Sequence, residues 1–101
     1  MNMVGAGKYK YSLIEDWARL PQGETFGTVS SVATDSLDRL YVFQRGEPPM
    51  LIFDQDGNYL SSWGAGTFVR PHGMSILDDI LYLTDSDNST AFKFTLDGKL
   101  L

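Results

Sequence analysis

The sequence predicts an all-β fold built from a repeated four-stranded unit, and three observations support this. Short apolar or β-branched runs alternate with turn residues along most of the chain. No stretch shows a clear helical period, and only residues 14–20 could form a short helical turn, which Pro21 would end. Similar segments recur at an almost constant spacing, which is typical of repeat architectures.

The repeat is visible when residues 39–60 are aligned with residues 79–101. Five pairs lie 41 positions apart: Tyr41/Tyr82, Phe53/Phe94, Asp56/Asp97, Gly57/Gly98 and Leu60/Leu101. Three upstream pairs lie 42 positions apart: Phe26/Phe68, Val32/Met74 and Thr34/Ile76. The difference of one residue falls in a turn, where a change in length costs little.

The first copy of the repeat contains four predicted strands, at residues 29–34, 40–43, 50–53 and 59–63. Asp56-Gly57 predicts a tight hairpin turn, because glycine accepts the positive φ that such a turn needs. Four short strands in about 42 residues are typical of a β-propeller blade. A meander in a sandwich or barrel is the alternative, but its strands do not repeat in units of four.

We therefore divide the chain into a flexible N-terminus (1–8), a lead-in strand and loop (9–28), a first blade (29–70) and a truncated second blade (71–101). The alternation within residues 9–17 suggests the outer strand of a preceding or closing blade. Propellers have roughly 4–8 blades, so about two to two and a half blades make an incomplete propeller. The chain is then either part of a longer protein or a unit that self-associates into a ring.

Composition narrows the classes of partner. Of 101 residues, 43% are hydrophobic, and the net charge of −5 argues against nucleic acid or an anionic membrane as the partner. No apolar run approaches the roughly 18 residues of a membrane helix, and residues 1–11 lack a signal-peptide core. A cytoplasmic protein is therefore expected. Without cysteine there are no thiolate metal sites, and the single histidine could ligate a metal only together with other groups.

Several segments resemble NHL-repeat propellers: VATDSLDRLYVF, PPMLIFDQDGNYLSSWG, VRPHGMSI, LYLTDSDN and FKFTLDGKLL. Within that group they are most similar to peptidylglycine α-amidating lyase and its bacterial homologues. The similarity covers residues 9–101 and only the front part of the family's six-bladed domain. The motifs FQRG (43–46) and RPHG (70–73) are its more specific part. It implies a lyase that splits a peptide ending in α-hydroxyglycine into a peptide amide and glyoxylate.

The resemblance also implies site residues, placed at one mouth of the propeller channel where a peptide or small-molecule substrate would bind. His72 corresponds to the first of three zinc-binding histidines, and Arg45 to an arginine that binds the substrate. The backbone carbonyls of Val32 and Met74 correspond to ligands of a structural calcium ion. The other two histidines, the catalytic tyrosine and the calcium carboxylate belong to later blades, so this chain alone is expected to be inactive.

Each site residue also has a simpler interpretation. His72 could hydrogen-bond a neighbouring loop, and Arg45 could pair with Glu47 at the surface, which contributes little. We expect Asp85 to have a structural role, accepting hydrogen bonds from nearby turn backbone. Four aromatic residues recur in register and predict packing between blades: Trp17, Phe53, Trp63 and Phe94. The alternative to the lyase is a non-catalytic NHL propeller that serves as a binding platform, completed by self-assembly.

Overall fold

A computed structural model describes residues 2–101 of the chain. Within that range it contains β-strands and no helix. The strands are β1 (Met3–Ala6), β2 (Tyr9–Ser12), β3 (Thr28–Thr34), β4 (Leu40–Arg45), β5 (Met50–Phe53), β6 (Tyr59–Trp63), β7 (Pro71–Leu77), β8 (Ile80–Asp85) and β9 (Thr90–Thr95). They form three antiparallel sheets, ordered β1-β2, β3-β4-β5-β6 and β7-β8-β9. The all-β prediction is confirmed, as are the four strands expected between residues 29 and 63.

The two larger sheets share one pattern of backbone pairing. Thr34 pairs with Leu40 across the first turn of the four-stranded sheet. Ile76 and Leu81 occupy the equivalent positions in the three-stranded sheet and pair in the same way. The first connection is one residue longer than the second, as the change of spacing from 42 to 41 requires. The repeat in the sequence is therefore a repeat of strand register.

The Asp56-Gly57 turn forms as predicted, and Asp97-Gly98 forms the equivalent turn in the second unit. Gly57 has a φ of 84° and Gly98 a φ of 94°, in the left-handed region that favours glycine. After the second turn, Leu100 forms a bridge with Phe94. That bridge is equivalent to the first pair between β5 and β6, so the second unit follows the pairing of the first as far as Leu100.

The four-stranded sheet packs face to face on the three-stranded sheet. Their shared core consists of Tyr41, Phe43, Met50, Ile52, Leu81, Leu83 and Phe94. The opposite face of the four-stranded sheet packs against residues from the lead-in loop, including Trp17, Ala18 and Leu20. Strands β4 and β5 are thus buried on both faces, which is why their sequences are continuous apolar runs rather than alternating ones.

The predicted aromatic packing between units is confirmed. The ring centroids of Trp17 and Phe53 lie 6.4 Å apart, and those of Trp63 and Phe94 lie 5.3 Å apart. Trp63 also lies against Gly98, and its indole N–H donates to the carbonyl of Leu96 at 3.2 Å. Each tryptophan thus packs on the unit that follows it in the chain.

The N-terminal residues are arranged differently from the expectation. Residues 3–6, within the segment expected to be flexible, form β1 and pair with β2. The lead-in strand therefore joins a separate hairpin rather than the edge of either larger sheet. The reason is the turn at Gly7, whose φ of 61° lets the chain reverse directly. Residues 14–20 form no helical turn. No helix in the described range has the length and apolar character to cross a membrane.

Candidate functional site

The fold brings the candidate site residues to one edge of the stacked sheets. Strands β3 and β7 are edge strands of their respective sheets and contact each other. Val32 lies in β3, whereas His72 and Met74 lie in β7. Arg45 is the last residue of β4, the strand paired with β3, and Asp85 is the last residue of β8. All five therefore lie on the first two strands of the two repeat units.

Arg45 and His72 are in direct contact, although they lie 27 positions apart in the chain. The Nε of Arg45 donates to the carbonyl of Pro71 at 3.0 Å. Its Nη2 lies 3.3 Å from Nδ1 of His72. Arg45 is half-buried and His72 is exposed. The two residues of the FQRG and RPHG motifs thus form one site, although each belongs to a different repeat unit.

The surface pair expected between Arg45 and Glu47 does not form. Glu47 instead accepts a hydrogen bond from the backbone N–H of Gly66 at 3.4 Å. Across residues 2–101 the one ion pair joins Arg39 to Asp35, with Nε and Oδ2 2.6 Å apart. Arg45 is therefore oriented by the neighbouring sheet and not by its own loop.

Asp85 holds the segment that carries His72. Its buried carboxylate accepts hydrogen bonds from the backbone N–H groups of Val69 at 2.6 Å and Arg70 at 3.0 Å. It also accepts from the backbone and the side chain of Asn88. Burial by itself would raise the pKa of Asp85, but four backbone N–H groups, led by that of Val69, lower it below its ordinary value. Asp85 therefore remains ionised and fixes the chain just before Pro71-His72.

Gln44 is the equivalent of Asp85 in the first unit, and sequence reasoning missed it. It lies 41 positions before Asp85, and its Oε1 accepts from the N–H of Gly27 at 2.8 Å. Its Nε2 donates to the carbonyl of Pro48 at 2.9 Å. Gly27 lies 42 positions before Val69, so both polar side chains bind the same backbone position of the repeat. The spacing of 41 positions could have identified Gln44 as the equivalent of Asp85, but the two residue types differ and this concealed the equivalence.

The two carbonyls that the resemblance relates to calcium lie on adjacent edge strands. The hydroxyl of Ser31, next to Val32, donates to the carbonyl of Met74 at 3.4 Å. Carbonyl oxygens suit calcium, which takes 6–8 oxygen ligands. Two such ligands are a minor part of that shell, and the Met74 carbonyl already accepts a hydrogen bond from within the protein.

The described residues do not complete a zinc site. Zinc sites that keep an open position use three protein ligands, and His72 is the one histidine of the sequence. In residues 2–101 there is no cluster of three or more His, Cys, Asp or Glu side chains that could hold a metal ion. Further ligands would have to come from outside this part of the chain, so no chemical step is assigned to the metal.

The geometry does suit the binding of an anion. Nη1 of Arg45 makes no hydrogen bond to any group in residues 2–101, while Nε anchors the planar guanidinium to β7. A fixed guanidinium with free N–H groups can bind a carboxylate through two parallel hydrogen bonds.

Comparison with known proteins adds no assignment, because no family model and no curated protein matches the chain.

Proposed function

We propose that the two stacked sheets are successive blades of an NHL-type β-propeller whose site is similar to that of peptidylglycine α-amidating lyases. The shared register of the two units and the packing of each tryptophan on the next unit support the propeller. The contact between Arg45 and His72 carries the functional part, because it unites two motif residues from different units at one edge.

Arg45 is the residue that binds substrate in this proposal. The substrate, a peptide ending in α-hydroxyglycine, carries a terminal carboxylate that leaves as part of glyoxylate. The C–N bond breaks, the hydroxyl oxygen becomes the aldehyde oxygen, and the hydroxyl proton passes to the amide nitrogen. A guanidinium held by the carbonyl of Pro71 would orient the carboxylate without taking part in that proton transfer.

Zinc and calcium belong to the proposal as partners of a larger assembly. Zinc held by His72 and by ligands outside residues 2–101 would supply Lewis-acid chemistry at the substrate hydroxyl. Calcium on the carbonyls of Val32 and Met74 would have a structural role. Asp85 would keep the His72 segment in place by its hydrogen bonds to residues 69 and 70.

The test measures the glyoxylate that is released from an α-hydroxyglycine peptide. One sample contains the chain at high concentration with added zinc, and the other is the same sample with chelator. Chelator-sensitive release that Arg45→Lys reduces supports the lyase, because lysine retains the charge but not the planar pair of donors. Arg70→Lys is the matched control, since the Arg70 side chain makes no hydrogen bond to residues 2–101. A folded, zinc-loaded assembly that releases no glyoxylate would exclude the lyase.

A binding platform is the second candidate, and the β1–β2 hairpin favours it. Val4, Tyr9 and Tyr11 are 50%, 62% and 61% exposed on a two-stranded sheet separate from the rest of the fold. An isolated two-stranded hairpin is marginally stable by itself, so a partner covering these side chains would stabilise it. Native mass spectrometry tests the self-assembly that would complete such a platform: a discrete dimer or trimer supports self-assembly, and a monomer contradicts it. Glyoxylate release separates the platform from the lyase.

A further inference from the structure

The contact between Arg45 and His72 fixes the chemical state of the imidazole. A guanidinium can donate hydrogen bonds but cannot accept them. Nδ1 of His72, which faces Nη2 of Arg45 at 3.3 Å, is therefore the acceptor in this pair. A neutral imidazole with a lone pair on Nδ1 carries its proton on Nε2. The exposed nitrogen of His72 is then a donor and has no free lone pair.

This state is incompatible with metal binding at His72. A metal takes the lone pair of a neutral imidazole, and the other ring nitrogen then carries the proton and donates to a nearby acceptor. Binding through Nε2 would need a proton on Nδ1, opposite the donor Nη2. Binding through Nδ1 would displace Nη2 directly. Either route requires the contact between Arg45 and His72 to break.

We propose that Arg45 is a positioning residue that holds His72 in the Nε2–H tautomer, so that Arg45 and a metal ion compete for His72. The proposal rests on the proposed function only for the identification of His72 as a metal ligand. The Nε of Arg45 binds Pro71 and not His72, so the guanidinium stays close when the Nδ1 contact is lost. Within residues 2–101, Nη1 and the second N–H of Nη2 are free whether or not His72 is bound, so they can bind a carboxylate in either state.

The first experiment measures the tautomer by two-bond ¹H–¹⁵N NMR on untagged protein labelled at histidine. His72 is the single histidine, so its ring signals need no assignment. The wild type should show the Nε2–H form almost alone, whereas Arg45→Met should show a mixture of both tautomers. Arg70→Met is the matched control, because it removes the same charge near His72 without removing a hydrogen bond. It should retain the wild-type tautomer.

The second experiment titrates the same three proteins with zinc chloride and follows the His72 signals. Arg45→Met lacks one charged hydrogen bond to His72. The zinc concentration that half-saturates its His72 signals should therefore be about fivefold to tenfold lower than in the wild type. Arg70→Met should change it by less than about twofold, since exposed charges are screened. If Arg45→Met does not fold, Arg45→Gln replaces it, being shorter and uncharged.

Equal tautomer populations in the wild type and the Arg45 variant would overturn the proposal. Equal zinc binding by the Arg45 and Arg70 variants, including no binding by either, would also overturn it. These outcomes are independent of glyoxylate release. A tautomer shift and tighter zinc binding without lyase activity would retain the competition while rejecting the lyase.

Discussion

Replacement of Gly98 by alanine should weaken the packing between the two repeat units. A Cβ at this position would lie 2.7 Å from Cδ2 of Trp63 and 3.0 Å from two other ring atoms, closer than carbon atoms can approach. Trp63 would have to move, and its hydrogen bond to the carbonyl of Leu96 would be lost. Alanine at Gly98 must also adopt a φ of 94°.

The free energy of unfolding that Gly98→Ala loses has three contributions. A left-handed backbone costs a residue other than glycine about 1–2 kcal/mol. Loss of the indole hydrogen bond adds about 1 kcal/mol, and poorer ring packing brings the total to about 3 kcal/mol. Gly66 is the matched control, because its φ of 77° is also positive but a Cβ there would have no neighbour within 4 Å. Gly66→Ala should therefore cost about 1–2 kcal/mol.

Urea unfolding followed by tryptophan fluorescence measures both free energies of unfolding. Gly98→Ala should be less stable than Gly66→Ala by about 1–2 kcal/mol. Trp63→Leu should remove most of that difference in a double-mutant cycle, since the smaller side chain leaves room for the methyl group. Equal costs at the two glycines, or no coupling with Trp63, would show that Trp63 does not pack on Gly98.

Three further predictions concern the core and the dependence of stability on pH. Phe43→Ala should cost about 3–5 kcal/mol because Phe43 is 0% exposed, whereas Leu77→Ala, at 63% exposed, should cost less than about 0.5 kcal/mol in the same urea assay. Burial would raise the pKa of Asp35, but hydrogen bonds from Arg39 and Tyr41 hold it below its ordinary value. The stability that this lowered pKa provides is present above the pKa of the unfolded carboxyl and is lost as pH falls through the folded one. Asp35→Asn should therefore flatten the acid side of the thermal midpoint curve, and an unchanged acid side would contradict this role of Asp35. Burial and Asp35 raise the pKa of Tyr41, so the wild type should lose stability above about pH 10, and Tyr41→Phe should reduce that loss in alkaline thermal melts.

Much of the local structure could be predicted from sequence, because its determinants lie close together in the chain. Strand positions follow from runs of apolar residues between turn residues, and the Asp-Gly turns at Gly57 and Gly98 follow from the φ that glycine tolerates. Burial could not be predicted in this way. Tyr41 and Tyr82 are equivalent in the repeat, yet they are 1% and 39% exposed. The three-stranded sheet covers Tyr41, whereas no strand of the described chain covers Tyr82 in the same way.

The candidate site, too, could be predicted from the sequence only in part. Sequence motifs singled out Arg45 and His72 separately, but their contact depends on how one sheet is offset against the next. Pairing with Glu47, two positions along the chain, was the simpler expectation for Arg45. In the structure Arg45 contacts Pro71 and His72 instead.

The all-β character of this protein, the repetition of its strands and the positions of its turns are all set by the amino-acid sequence. These properties are local, since each depends on a few adjacent residues and on the period of apolar side chains. Tertiary structure, in contrast, sets which faces are buried, gives Gln44 and Asp85 one shared role, and brings Arg45 into contact with His72. Those properties depend on residues far apart in the chain. Strand pairing within each unit brings Gln44 and Asp85 to their backbone partners, and the stacking of one sheet on the other brings Arg45 to His72.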